Sequence, residues 1–144
     1  MAIHVLRISK TEQVFTHQAE DGTIRHFAVE RLFNYMKGVG REVYSIWLEP
    51  AYVNTIFLKR GVETHRLNRI TREIMEIPVL YLEGVSPGTH LLADGNHRYV
   101  ARARAGFTDL PAYVAEPKLW KRFMVEGIPD AMVPGVLTGF SNIH

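Results

Sequence analysis

The fold of this chain is decided by residues 91–106, which read Leu-Leu-Ala-Asp-Gly-Asn-His-Arg-Tyr-Val-Ala-Arg-Ala-Arg-Ala-Gly. An apolar run ends in Asp-Gly, and a segment of strong helix formers follows and stops at a second glycine. This order predicts a strand, a tight turn and the start of a helix. Because the first backbone N–H groups of a helix are unpaired and its dipole is positive there, such a junction suits an anion.

Four residues of this junction suit phosphate recognition. Gly95 is expected to supply a positive φ or a close backbone approach to a ligand. Asn96 is the predicted N-cap of the helix. His97 and Arg98 add donors for phosphate oxygens, and the planar guanidinium of Arg98 can hold two oxygens at once. We therefore predict a phosphate-binding cradle formed by Gly95, Asn96, His97 and Arg98.

Asp94 and His97 are the candidate catalytic residues, and each also has a structural interpretation. Asp94 could act as a general base or a Mg²⁺ ligand, or it could accept backbone N–H bonds and stabilise the turn. His97 could donate to phosphate or relay a proton, or it could bond to a carbonyl of a neighbouring strand. Arg98 could contact the anion or form a buried salt bridge with Asp94 or Glu76. The residue types leave these alternatives open.

The other segments alternate between β-prone and helix-prone patterns. Residues 13–17 and 23–27 flank Glu20-Asp21-Gly22, which predicts a β-hairpin. Periods of two and 3.6 residues predict further strands at 3–8, 42–48, 79–82, 90–93 and 110–114, and helices at 29–38, 52–57, 63–76, 96–105 and 120–125. Four aromatic side chains are expected to pack in the core or under the tail: Trp47, Tyr113, Trp120 and Phe123.

From about Glu63 to Val114, this order of elements resembles the ParB/sulfiredoxin-like superfamily. In the ParB N-terminal domain, a strand is followed by an acidic or small residue, Gly, any residue, His or Arg, Arg, and a helix with Ala. Those positions are occupied here by Asp94, Gly95, His97, Arg98 and Ala101. The later Gly106 and Pro111 also fit this pattern.

The resemblance implies an α+β fold, in which a small mixed sheet is flanked by helices in a compact domain and extended by the N-terminal β-hairpin. We expect one domain over residues 1–126, with its core motif at 63–114, and a Gly/Pro-rich C-terminal tail over 127–144. Sulfinic-acid repair is excluded, because Asn96 replaces the catalytic cysteine of sulfiredoxins. ParB proteins that bind centromeres carry a helix-turn-helix domain after this unit. Only about thirty residues follow it here, and they are rich in Gly and Pro, so centromere binding of that type is not expected.

Composition limits the class of protein. The 144 residues fit one domain, and the hydrophobic share of 47% with 22% charged residues is ordinary for a globular protein. A formal net charge of +2 does not by itself indicate nucleic-acid binding. The absence of cysteine excludes disulfides, thiolate metal sites and thiol nucleophiles. No apolar run approaches the roughly 20 residues of a membrane span, and the N-terminus does not resemble a signal peptide. We therefore expect a cytoplasmic protein without a membrane partner.

A basic segment precedes the motif and contains Lys59, Arg60, Arg66, Arg69 and Arg72. On the helix predicted at 63–76, one face combines His65, Arg69 and Arg72, so Arg69 is included among the phosphate-binding candidates. The nearby glutamates favour a mixed solvated surface over a phosphate-binding one, and Arg102 and Arg104 are expected to be solvated. No resident metal site is predicted, because no obvious fourth ligand accompanies His90, Asp94 and His97.

Three functions remain open at this point. The first is binding of a nucleotide or other phosphate-bearing ligand at the Asp-Gly-Asn-His-Arg motif, with Mg²⁺ as the accompanying cofactor and phosphoryl transfer or nucleotide hydrolysis as the reaction, if there is one. The second is a nucleic-acid-binding or nuclease-like module that uses the basic segment together with Arg98 and Arg102. The third is a non-enzymatic interaction protein, whose interfaces, including those of a homo-oligomer, would use residues 44–57 and the tail.

Overall fold

The computed structural model describes residues 13–60 and 62–125 of the chain. Over these ranges the fold is α+β, as expected. The strands are β1 (Phe15–Gln18), β2 (Ile24–Phe27), β3 (Tyr44–Trp47), β4 (Val79–Glu83), β5 (His90–Asp94), β6 (Asp109–Ala115) and β7 (Met124–Val125). The helices are α1 (Val29–Gly38), α2 (Pro50–Lys59), α3 (Thr64–Leu67), α4 (Arg72–Met75), α5 (Asn96–Arg104) and α6 (Pro117–Trp120). The strand predicted at 3–8, the domain end at 126 and the tail at 127–144 lie outside the described residues.

Two small sheets organise these elements. The larger sheet has the order β3-β6-β4-β5 and is mixed: β4 and β6 are parallel, while both outer pairs are antiparallel. The smaller sheet has the order β1-β2-β7 and is antiparallel. The predicted hairpin is confirmed, with Phe15 opposite Phe27 at its open end. The mixed sheet flanked by helices is also confirmed.

The larger sheet lies between two apolar layers. Because side chains alternate along a strand, Leu80 and Leu82 of β4 face one core while Val79 and Tyr81 face the other. The first core is filled by residues of the hairpin, α1 and α6, and the second by residues of α2, α3 and α5. The sheet therefore holds α5 on one face and α1 on the other.

The helix predicted at 63–76 is wrong in its extent, because the chain forms two short helices, α3 and α4, there. Thr71 caps the second helix, and its Oγ1 accepts from the N–H of Ile74 at 3.3 Å. A threonine side chain that bonds to the backbone in this way starts a new helix rather than continuing one. The shared face of His65, Arg69 and Arg72 is lost with the continuous helix.

Two other predictions are also corrected. The helix predicted at 120–125 is wrong, because α6 ends at Trp120 and is followed by a 3₁₀ turn and β7. Val125 pairs with His26 of β2 and is therefore in a strand. Trp47 is 63% exposed, since it lies on an edge strand, whereas Tyr113 and Trp120 are buried in the core as expected and Phe123 is partly buried against it.

Gly95 joins β5 to α5 and is required there for two reasons. Its φ of +104° is in the left-handed region, which side chains disfavour. A Cβ at this position would also lie 2.5 Å from Cγ1 and 2.9 Å from Cβ of Val79. Gly95 is therefore the N-cap of α5, and the prediction that Asn96 is the cap is wrong. Asn96 is instead the first helical residue, with its side chain in the interior.

Replacing Gly95 by alanine is expected to lower the free energy of unfolding by about 2–5 kcal/mol, the combined cost of a left-handed alanine and of overpacking against Val79. Gly106, at the other end of α5, provides the matched control: its φ is +90° and a Cβ there would meet nothing within 4 Å. Gly106→Ala should therefore lose only about 1–2 kcal/mol. Urea unfolding measures both, and equal losses would show that the contact with Val79 has no energetic weight.

Candidate functional site

The strand-turn-helix junction brings the five motif residues, Asp94 to Arg98, together around the first turn of α5. Arg98 Nη2 lies 3.5 Å from Asp94 Oδ2 and donates to the Pro78 carbonyl at 3.1 Å. Both side chains of this ion pair are 13% exposed. Of the two salt-bridge partners considered for Arg98, Asp94 and Glu76, the structure shows Asp94. The guanidinium thus links the start of β4 to the end of β5.

The Asp94 carboxylate is buried among polar partners. Its Oδ1 accepts from Gln13 Nε2 at 3.3 Å, and the Gly95 N–H also donates to the carboxylate. Burial raises the pKa of Asp94 above its ordinary value. The charge and hydrogen bond of Arg98 oppose this rise in pKa, and the negative charge of Glu30 adds to it. Asp94 consequently holds a proton more tightly than an exposed aspartate does, which suits a general base.

Glu30 and Gln13 belong to this site, although the sequence gives no sign of it. The backbone N–H of Gln13 donates to Glu30 Oε1 at 3.1 Å, while its side chain donates to Asp94. Gln13 therefore bridges two carboxylates from distant parts of the chain. One or two carboxylates together with phosphate oxygens and water form the usual ligand set of Mg²⁺. Asp94 and Glu30 fit such a set, and no group of three metal-binding side chains occurs within residues 13–60 and 62–125.

His97 is almost fully buried, and its ring holds the start of α3. Its Nε2 accepts from the backbone N–H of Glu63 at 3.2 Å. Because a backbone N–H can only donate, Nε2 carries no proton in this arrangement. The hydrogen bond differs from the expected one to a strand carbonyl, but it is likewise structural. A proton relay through His97 stays a prediction, and it would need Nε2 to leave Glu63.

Two buried polar atoms in the first turn of α5 have no hydrogen-bond partner within the described ranges. They are Asn96 Oδ1 and Arg98 Nε. In addition, the N-cap of α5 is Gly95, which has no side chain with which to cap the helix. Buried polar groups are nearly always satisfied in folded proteins, so an acceptor and a donor left over in one turn indicate that further partners belong there.

Arg69 is placed apart from the motif. It is exposed in the turn after α3, and within the described chain no hydrogen bond or ion pair links its side chain to residues 94–98. The structure therefore brings Asp94, Gly95, Asn96, His97 and Arg98 together and leaves Arg69 outside their hydrogen-bond network.

Two arginines assigned to a nucleic-acid surface are turned inward. Arg60 Nη1 donates to the Leu92 carbonyl at 3.0 Å. Arg102 Nε donates to the Asp109 carbonyl at 2.9 Å, and its Nη1 donates to the Met75 carbonyl at 2.8 Å. The expectation that Arg102 is solvated is wrong, since it is only 7% exposed. It satisfies carbonyls at the end of α4 and the start of β6, so neither arginine presents a free cation to phosphates.

Two cavities lie at the opposite end of β5 from Asp94. One, of about 690 Å³, is lined by residues that include Tyr44, Ile46 and His90. The other, of about 710 Å³, is lined by residues that include His17, Arg25 and His90. His90, the first residue of β5, lines both cavities, and residues 94–98 line neither. They are therefore separate from the motif.

Comparison with known proteins gives no relative: no protein-family model matches the chain, and no curated protein or solved structure shows significant similarity to it. None of the helices in the described part of the chain has the length and apolar character needed to cross a bilayer.

The raised pKa of Asp94 predicts a pH-dependent cost to stability. Above pH 3.8, the ordinary pKa of the group, the folded state keeps this proton longer than the unfolded state does. Wild-type stability should therefore fall as pH rises through the window up to the folded pKa, by at most about 1.4 kcal/mol per pH unit from this group. Asp94→Asn removes the titrating carboxyl group. The unfolding free energy of the variant minus that of the wild type should therefore grow with pH and then level off.

Asp21→Asn provides a control of opposite sign. Hydrogen bonds from Thr23, its backbone N–H first, lower the pKa of Asp21. The stabilisation from Asp21 is therefore present at higher pH and lost on acidification, so the same difference should fall as pH rises. Urea unfolding between pH 3 and pH 8 (roughly the range over which carboxyl groups titrate) measures both differences. If the difference for Asp94→Asn does not change with pH, the pKa of Asp94 is not raised in the folded state.

Proposed function

We propose that this domain binds a phosphate-bearing ligand of the nucleotide type at the N-terminus of α5. The observation that carries the proposal is a pair of buried atoms, Asn96 Oδ1 and Arg98 Nε, that have no hydrogen-bond partner among the described residues. They lie in a helical turn whose N-cap, Gly95, has no side chain. A phosphate supplies acceptors for Arg98 Nε and for the backbone N–H groups of the turn. A hydroxyl or amino group of the same ligand supplies a donor for Asn96 Oδ1.

The neighbouring contacts keep Arg98 oriented for this role. One terminal nitrogen is fixed by the Pro78 carbonyl and the Asp94 carboxylate. The guanidinium plane is thereby held in place, and the Nε edge needs little reorganisation to meet an anion. A donor held ready before the ligand arrives strengthens binding, because the cost of ordering it has been met during folding.

Asp94 and Glu30 would hold Mg²⁺ beside the phosphate oxygens. A bound Mg²⁺ offsets the repulsion between these carboxylates and the phosphate. Any phosphoryl transfer or nucleotide hydrolysis here would depend on positioning and charge neutralisation. In the alternative role, in which Asp94 does not bind the metal, its raised pKa suits it to accept a proton from a nucleophile. The resemblance of residues 94–98 to the ParB/sulfiredoxin-like motif supports the same proposal.

A ligand screen tests the proposal directly. Nucleoside triphosphates with Mg²⁺ should raise the melting temperature, because a ligand that binds only the folded state stabilises it. Arg98→Lys should weaken binding by about 10- to 100-fold, since it removes a charge-assisted bond from Nε but keeps a cation beside Asp94. Arg98→Ala is less informative, because it leaves the buried Asp94 carboxylate without its cation.

Asn96→Ala separates binding from folding. It removes a buried acceptor that has no protein partner within the described residues, so the unfolding free energy should be unchanged or higher, while affinity falls about 3- to 10-fold. Arg104→Lys, an exposed change on the same helix, is the matched control and should leave affinity unchanged. Calorimetry with and without Mg²⁺ measures these affinities. Undiminished affinity in both Arg98→Lys and Asn96→Ala, or no thermal shift with any triphosphate, would refute the proposal.

A further inference from the structure

The edge strand β3 lacks the features by which proteins usually prevent edge pairing. Within the described part of the chain only β6 pairs with it, and residues 43–47 read Val-Tyr-Ser-Ile-Trp without a charge or a proline. Trp47 is 63% exposed, and Val43 and Tyr44 are each 46% exposed. Natural edge strands are commonly protected by lysine, proline or a bulge. An exposed, uncharged edge of this kind is suited to pairing with another strand.

The register of β3 on β6 shows which backbone groups face outward. Tyr44 lies opposite Ala112 and Ile46 opposite Leu110, and the Leu48 N–H donates to the Thr108 carbonyl at 2.9 Å. Because bonded positions alternate in an antiparallel pair, the even-numbered residues of β3 bond to β6. The N–H and C=O groups of Ser45 and Trp47, and of Val43 by the same alternation, point to the free edge.

We propose that a second copy of this chain pairs with β3 in antiparallel orientation about a twofold axis at Ser45. In this register Ser45 lies opposite Ser45 of the partner subunit, and Val43 lies opposite Trp47 of the partner subunit. Each of the three outward residues then exchanges backbone hydrogen bonds with the other copy. The result is one continuous eight-stranded sheet formed by two sheets of four.

The chain's own hydrogen bonds disfavour the two adjacent registers. An axis at Tyr44 would need the N–H of Arg41, which donates to the Met36 carbonyl at 2.9 Å. An axis at Ile46 would need the N–H of Glu49, which donates to Tyr99 Oη at 2.8 Å. Of the three registers, the one centred on Ser45 uses residues whose outward groups have no backbone partner within the described part of the chain.

The side chains of this register are complementary. On one face Tyr44 meets Ile46 of the partner subunit, and on the other Trp47 meets Val43 of the partner subunit. Both are pairs of an aromatic with a β-branched residue, which favour antiparallel strands. At each end of the paired strands, Arg41, which forms an ion pair with Glu116 of its own chain, comes opposite Glu49 of the partner subunit, so opposite charges face each other. Because β3 and β5 are opposite edges of the sheet, the dimer leaves the α5 site open.

Single cysteine variants test this register, because the natural chain has no cysteine and an introduced thiol is the only one present. Bonded partners in an antiparallel pair have Cα atoms about 5.5 Å apart, within the range of a disulfide. Ser45→Cys should therefore form a covalent dimer on mild oxidation faster than Tyr44→Cys or Ile46→Cys. If either flanking variant is the fastest, the proposed register is wrong.

Sedimentation velocity tests the dimer without cross-linking. The 144-residue chain should sediment as a species of twice its 16.5 kDa mass. Ser45→Pro should be a monomer, because proline removes the outward backbone donor at the edge in addition to the hydroxyl bond to Asp109. Ser45→Ala, which loses only the hydroxyl bonded to Asp109, should remain a dimer.

Trp47→Lys is the second disrupting variant, needed if Ser45→Pro does not fold. Leu58→Lys is its matched control, because Leu58 is also an exposed apolar residue but lies on α2 and not in the paired strand. Trp47→Lys should give a monomer and Leu58→Lys a dimer, with circular dichroism confirming that both are folded. A monomeric wild-type chain at every concentration, or a dimer that persists in folded Trp47→Lys, would overturn the proposal.

Discussion

The backbone at Gly95 is the constraint on which the rest of the structure depends. Its left-handed conformation turns the chain from β5 into α5 within one residue, and its missing side chain lets this turn lie directly on Val79 of β4. Arg98 can then reach the Pro78 carbonyl from the first turn of α5, and the same turn faces Asp94. Without this close approach, the helix N-terminus and the carboxylate would not share one site.

Arginines inside the domain act first as donors to backbone carbonyls. Arg98 and Arg102 donate to carbonyls at or beside the end of a strand or helix, where such groups lack partners in regular structure. Arg60 donates to the Leu92 carbonyl in the middle of β5. Arg102 also lies over the ring of Phe107, which shields it from water. A guanidinium has five donors, so Arg98 can support the fold with one nitrogen and still offer Nε to a ligand. Structural and binding roles at this junction are thus compatible.

The parts of the fold that follow from short-range pattern could be predicted from sequence. The hairpin around Gly22, helix α1 and the order from β4 to α5 all carry local signals of turn chemistry and periodicity. The errors arise where a tertiary contact determines the local structure. Packing on Val79 makes Gly95 the N-cap of α5 instead of Asn96, and hydrogen bonds to the carbonyls of distant elements bury Arg102. Gln13 and Glu30 join Asp94 only through folding, so no spacing in the sequence could reveal them.

The most direct test of the account is to locate a bound nucleotide by amide chemical shifts in a ¹H–¹⁵N spectrum. On titration with a nucleoside triphosphate and Mg²⁺, the backbone amides of Asn96, His97 and Arg98 should show the largest changes, because the phosphate accepts from the first turn of α5. Changes that instead centre on the cavities beside His90, with residues 96–98 unmoved, would contradict it.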